Sequence, residues 1–271
     1  MKPCGFTLIE LLVVIAIIGL LATFAVVQLT GAREKARISK GAAFSGQTLR
    51  TIGDGLVARW DFDECSGTTF GDLSGYNQIG TLTAGTSFST NTPSGQGCSL
   101  QLNGSGSIAF ATPITTATNN ITLSMWVYLS SASLKGTFFH NGNLIGNGNG
   151  YSLGVGNGSM DAAGNQLILE LDNVAWDTSG VNIGTGWHHI AVTRNATTWQ
   201  FYLDGSDVGN TFTNSPNAPT GGASLGYDTS AYNRYFNGLL DDVRVYTNSL
   251  TADDIHKIYT NGYSKHLAEK L

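Results

Sequence analysis

Charge is scarce in this chain. Lys and Arg number 14 and Asp and Glu 19 among 271 residues, 12% in all, against roughly 25% in an average soluble domain. Too few charges are present for the salt-bridged flanks of a coiled coil or the solvated faces of a long-helix bundle. The net charge of −5 argues against a protein that tracks a phosphate backbone, because each phosphate contact needs a Lys or Arg. No nucleic-acid partner is expected. Glu is nearly missing from the larger part of the chain: beyond residue 55 only Glu64, Glu170 and Glu269 occur. Cys is limited to 3 residues and Pro to 5, which excludes a disulfide-dense scaffold and a proline-rich extended chain.

Gly, at 35 residues, is abundant, as are Asn, Ser and Thr. Hydrophobic residues make up 41%, enough for a core and too much for general disorder. The composition reads as an all-β, turn-rich body. Charge is also unevenly placed: residues 1–55 carry +3 and residues 56–271 carry −8. Arg33, Lys35, Arg37, Lys40 and Arg50 follow directly on an apolar run, the arrangement of a juxtamembrane segment.

That apolar run is the strongest local signal. Between Leu11 and Val27 only Gly19 and Thr23 interrupt it, and with its flanks from Phe6 to Leu29 a helix of about 36 Å would cross a hydrocarbon layer. It begins almost at the amino terminus, lacks a small-x-small cleavage site after it, and carries Glu10, a carboxylate that costs several kcal/mol in lipid unless paired.

The stretch GFTLIELLVVIAIIG at residues 5–19 resembles the amino-terminal signature of type IV prepilins and secretion pseudopilins. The resemblance implies that a membrane prepilin peptidase cuts between Gly5 and Phe6 and methylates Phe6. Glu10 then becomes the fifth mature residue, where it neutralises the amino terminus of a neighbouring subunit and sets the register of assembly. The leader is short, with Lys2 its one basic residue, and no Pro kinks the helix. The implied partners are other pilin-like subunits, the peptidase and the bacterial inner membrane. The implied location is that membrane before assembly, then a periplasmic or cell-surface filament.

From residue 56 the hydrophobic period changes to two. Strands are predicted at residues 56–63, 107–110, 121–129, 151–155, 166–171, 188–194, 199–204, 223–227 and 236–246, separated by Gly/Asn/Ser/Thr clusters that read as turns. No helical period intervenes until residue 251. Regularly spaced strands without helices between them mean a mainly β, antiparallel sandwich or barrel, preceded by one long transmembrane and assembly helix. The domains are a leader (1–5), the helix and its linker (6–55), the β-rich head (56–261) and a tail (262–271).

Several head segments resemble the laminin-G-like, concanavalin-A-like jelly-roll family: WDFDECSG at 60–67, DLSGYN at 72–77, LQLNG at 100–104, TLSMWV at 122–127, GWHHIAVTR at 186–194 with FYLDG at 201–205, FNGLLDDVRVY at 236–246 and LTADDI at 250–255. The resemblance implies an antiparallel two-sheet jelly-roll sandwich for the head, and members often hold a structural Ca²⁺ near the first and last strands, which points to Asp63, Glu64, Asp72, Asp241 and Asp242 as oxygen donors. The alternative is that these carboxylates bond turn amides or pair with Arg59, Arg194 or Arg244. Glucanases of this fold need a Glu-x-Asp-x-(x)-Glu strand, which the segment opening with Glu170 lacks, and no Ser nucleophile elbow is present; no catalysis is expected. His188 and His189 project to opposite faces of one strand and read as structural, and Trp60, Trp126 and Trp187 read as core or support.

Cys4 leaves with the leader. Cys65 and Cys98 remain, and an oxidising compartment favours a bridge worth roughly 3–4 kcal/mol in the chain-entropy model; two free thiols is the alternative. The loop aromatics Trp176, Tyr227, Tyr232 and Tyr235 are candidates for stacking on sugar rings. The reading is a pilin or minor pilin whose head adheres to a glycan or protein. A secretion pseudopilin and a membrane-tethered carbohydrate-binding module that never polymerises fit the same residues.

Overall fold

The computed structural model describes residues 8, 11–15, 17, 53–143, 148–171, 175–228 and 234–264. Met1–Gly53 and Asp54–Leu271 form two units. In the first, residues 11–15 are helical. Gly5, Phe6 and Glu10 lie outside the described residues. No helix among the described residues is long and apolar enough to cross a membrane.

The second unit is an antiparallel two-sheet sandwich. Its larger sheet runs in the order β14 (Ser206–Phe212), β13 (Thr198–Leu203), β12 (Gly186–Asn195), β7 (Asn120–Leu129), β16 (Asn237–Tyr246), β5 (Ser99–Asn103) and β4 (Thr86–Ser89). The first strand, β1 (Leu56–Trp60), shares one edge of β16 with β5: β5 pairs with residues 237–240 and β1 with residues 243–246. The smaller sheet runs β11 (Ala175–Asn182), β10 (Gln166–Leu171), β9 (Asn149–Gly156), β8 (Gly136–Asn143), β15 (Ala223–Leu225) and β6 (Ile108–Phe110). A two-stranded ribbon, β2 (Thr69–Phe70) and β3 (Gly80–Thr81), completes it.

Strand alternation builds the core. Ile121, Leu123, Met125, Val127 and Leu129 of β7 join Ile190 and Val192 of β12 in one cluster with Leu153 and Val155 of β9 and Leu167, Leu169 and Leu171 of β10. The intervening residues, Thr122, Ser124, Trp126 and Tyr128 on β7 and Ser152 and Glu170 on the smaller sheet, therefore face outward from the sandwich. Helix α1 (Ala252–Ser264) lays Tyr259 over Trp126 and His189 on the outer face of the larger sheet. Thr251 caps it: its hydroxyl accepts the Asp254 N–H at 3.2 Å, and the Asp254 carboxylate accepts the Thr251 N–H at 3.2 Å. This is the reciprocal arrangement that satisfies two otherwise orphaned donors. Ile255 and Ile258 are buried beneath it, and Tyr259 rests against Trp126 and His189, ring centroids 5.6 and 5.9 Å apart.

Several strands escape the sequence reading. β8 is buried on both faces along nearly its whole length, and its Gly and Asn residues read as a turn. β14 is almost wholly exposed and shows no alternation. Both follow from the same cause: period two marks only strands with one wet and one dry face. Cys65 and Cys98 form a disulfide.

Candidate functional site

The closing strand is bulged beside the first strand. The register of β16 on β7 shifts between Asp241 and Arg244, and Asp242 adopts φ 42°. A bulge re-aims side chains, and here it presents Asp241 and Asp242 at a small cavity that Asp61, Asp63, Ser94 and Gln96 also line. Its volume is about 20 Å³, room for one ion or water. Gly97 permits the close approach: with φ +70°, a Cβ there would lie 2.0 Å from Asp63 Oδ1, and that oxygen accepts the Cys98 N–H at 3.1 Å. The disulfide and the acidic cavity are thus built on the same turn.

The five carboxylates predicted as a set are divided. Asp63, Asp241 and Asp242 share the cavity, while Glu64 and Asp72 hold turns. Asp72 accepts the N–H groups of Arg59, Ser74 and Gln78 at 2.9, 2.8 and 3.0 Å and the Ser74 hydroxyl at 2.8 Å. Burial pushes its pKa up, but these bonds outweigh it and hold the carboxyl below the ordinary range. Glu64 accepts the Gly71 N–H at 2.7 Å. Asp242 pairs with Arg59 at 3.2 Å and with Arg244. Among the described residues no three His, Cys, Asp or Glu side chains are grouped to hold a metal. Ca²⁺ takes six to eight oxygen ligands, and the pairing of Asp242 with two guanidinium groups reduces the carboxylate charge on offer.

A second constellation lies on the outer face of the smaller sheet. Register sets Trp176 opposite Glu170, Glu170 opposite Ser152, Ser152 opposite His140 and His140 opposite Ser224, a polar row across five strands. Arg234, 1% exposed, closes over it. Its guanidinium donates to Asp161 at 2.6 and 3.0 Å, to Glu170 at 2.6 Å and to Asp228 at 3.2 Å, and lies 4.6 Å from the Trp176 ring centroid. Glu170 and Asp228 are fully buried, so three carboxylates share one guanidinium. Burial raises the Glu170 pKa, Arg234 lowers it and Asp228 raises it, leaving it at about 7. Burial alone would lower the Arg234 pKa, but hydrogen bonds and charges from Asp161, Glu170 and Asp228 raise it. His140 is buried, which depresses its pKa, and it bonds Ser152 Oγ and the Gly142 carbonyl at 2.9 and 2.8 Å.

Three of the four predicted aromatics meet here. Trp176 stacks on Arg234, and Tyr227 and Tyr235 stack on each other with centroids 4.2 Å apart. Tyr232 lies outside the described residues. Sequence reading passed over Arg234, Asp161 and Asp228. One signal was present: Glu170 stands alone in the apolar strand QLILEL, and a carboxylate there demands a cationic partner. His188 and His189 keep separate partners, Asp204 at 2.9 Å and Ser124 at 2.9 Å.

Among solved structures, domain 4 of the extracellular GH43 arabinanase AbnA from Geobacillus stearothermophilus, solved with arabinotriose, is similar at TM-score 0.59 and 22% identity, covering 75% of this chain and 98% of that one. The binding domain of botulinum neurotoxin DC in complex with SialylT matches at TM-score 0.59 and 14% identity, over 78% of this chain and 52% of that one. The binding domain of Paraclostridial Mosquitocidal Protein 1 gives TM-score 0.56 and 14% identity over 77% and 52%. This chain thus spans about half of each of these two toxin domains; at such identities the likeness is one of fold. No curated protein matches the sequence. Residues 1–26 match the prokaryotic N-terminal methylation motif. Residues 83–256 match the concanavalin A-like lectin/glucanases superfamily over more than half of the chain, and the chain belongs to that superfamily.

Proposed function

We propose that this chain is a type IV pilin-like subunit, a pilin or minor pilin, that displays a lectin-like head outside a bacterial cell for adhesion. The observation that carries the reading is the joining, in one chain, of the methylation motif at residues 1–26 to the superfamily domain at residues 83–256. The prepilin peptidase releases residues 1–5, Phe6 becomes the methylated amino terminus, and Glu10 pairs with the terminus of a neighbouring subunit at the inner membrane. The ligand is a glycan: the superfamily is lectin-like, and the similar arabinanase domain was solved with arabinotriose. Trp176, Tyr227 and Tyr235 are its aromatic contacts, with Arg234 holding Trp176 in place. Mass spectrometry of the membrane-extracted protein tests the reading. A mature chain beginning at N-methylated Phe6 is expected; one beginning at Met1, or cut after Thr23, overturns it. Glu10→Ala is expected to insert in the membrane yet be depleted from sheared filaments, because the uncharged helix loses its electrostatic register. Wild-type amounts in the filament fraction would contradict the pairing.

We also propose that Asp63 and Asp241, with Asp61 beside them, hold a structural Ca²⁺ in the acidic cavity. A bound ion stabilises the native state by mass action. Chelator is therefore expected to lower the melting midpoint of the wild-type head and leave Asp241→Ala unmoved. An unchanged wild-type midpoint after demetallation would assign these carboxylates to turns and ion pairs alone.

A further inference from the structure

The outer face of the larger sheet carries a groove that neither reading uses. Register sets Trp187 of β12 opposite Tyr128 of β7, Tyr128 opposite Leu239 of β16, Leu239 opposite Gln101 of β5, and Gln101 opposite Ser87 of β4. Side chains of one register row share one face, and the alternate residues of β7 fill the core, so this row faces solvent. On the adjoining row Trp126 and His189 are covered by Tyr259 of α1. The Trp187–Tyr128 row is left open, and a groove of about 250 Å³ runs along it, lined by residues that include Ser89, Asn91, Gln101, Tyr128, Asn237 and Leu239.

The lining has a definite chemistry. Tyr128 and Trp187 meet edge to face, centroids 5.6 Å apart and planes at 60°. The indole N–H donates to Asn91 Oδ1 at 3.0 Å, which fixes the ring before any ligand arrives and lowers the ordering cost of binding. The amides of Asn91, Gln101 and Asn237 are exposed and offer both donors and acceptors. Among the described residues, no Lys, Arg, Asp or Glu lines the groove. Leu239 and Leu102 are 7% and 1% exposed, so the apolar area is too small to anchor a protein interface core. Ring faces beside neutral amides suit a ligand with one aliphatic face and a rim of hydroxyls. The volume, below the ~300–1,000 Å³ of drug-sized pockets, suits one or two rings.

We infer that this groove binds a neutral oligosaccharide, stacked on Tyr128, which Trp187 braces from beside the groove, and hydrogen-bonded by Asn91, Gln101 and Asn237. The inference rests on the reading of the head as glycan-binding and adds a site on the opposite sheet from Trp176 and Arg234. With no cation among the described lining residues, a sugar carboxylate gains no charged partner there, so sialylated chains are discriminated against.

Full-length protein in a non-glycosidic detergent, applied to an array of neutral and sialylated oligosaccharides, tests it. Retention on a neutral subset is expected. Tyr128→Ala is expected to weaken that binding about tenfold or more through loss of a stacking face. Gln101→Lys, at an exposed strand position, is expected to do the same by filling the groove, with a wild-type melting midpoint. Wild-type affinity in both variants, with loss in Trp176→Ala, would overturn the groove and leave the glycan-binding reading intact. Retention on sialylated glycans alone would overturn the neutral class. A blank array would overturn both readings.

Discussion

Arg234→Met is expected to destabilise the head by about 3–5 kcal/mol at pH 7, the cost typical of removing one partner from a buried ion pair. The side chain is 1% exposed and serves Asp161, Glu170 and Asp228 at once. Met fills similar volume and keeps contact with Trp176, so packing loss is small. What remains is charge: Glu170 and Asp228 are wholly buried, and without the guanidinium they must take up protons or reach water. The melting midpoint should fall by at least about 6 °C, and the deficit should shrink as pH drops and Glu170 protonates. Arg234→Lys should recover only part of it, because an ammonium is a point charge and not a planar fork able to reach three acceptors. A midpoint within a degree or two of wild type at pH 7 would show that the network contributes nothing net.

The second large effect concerns Glu170 and carries a pH sign. Its folded pKa is about 7 against an ordinary 4.5, so between those values the folded state holds the extra proton. Stability from this group is present below pH 4.5 and is lost as pH rises through 7, on the order of 3 kcal/mol over the window. His189 works in the opposite direction. Burial, with the charge of Arg244, depresses its pKa to about 4 from 6.5. There the unfolded state binds the extra proton, so stability rises with pH from about 4 to 6.5. The two slopes oppose in wild type, which conceals both. Glu170→Gln keeps an acceptor for Arg234 and removes one slope. Chemical denaturation at several pH values is expected to show the variant gaining on wild type steadily between pH 4.5 and 8. Parallel stability curves would mean that Glu170 is ionised throughout and satisfied by Arg234.

How far the residues alone carried the description depends on the kind of feature. Strands with one dry face, such as β7 and β12, were legible because alternation is a local consequence of burial on one side. β8, β11 and β14 were not. β8 is dry on both faces, and β11 and β14 are edge strands whose pairing depends on a neighbour distant in sequence. The Cys65–Cys98 pair was legible because residues 56–271 hold only these two cysteines. The candidate sites were legible only in part. Asp63 and Asp241 stood in recognisable motifs, but whether a carboxylate faces a cavity or closes a turn is settled by the φ of Asp242 and the bulge in β16, and neither leaves a mark in the local sequence.

The amino-acid sequence by itself determined the class of each half: an apolar run with one carboxylate near its start, then period-two segments with turn chemistry between them. These are nearest-neighbour properties, set by backbone geometry and by which residues water rejects. Only the tertiary structure decided which polar groups meet. Arg234 reaches Asp161 and Glu170 across 73 and 64 residues, and Trp187 reaches Asn91 across 96. Contacts at such separation follow from how the sheets pair and pack, because the free energy that fixes them is shared over the whole core and is written at no single position in the chain.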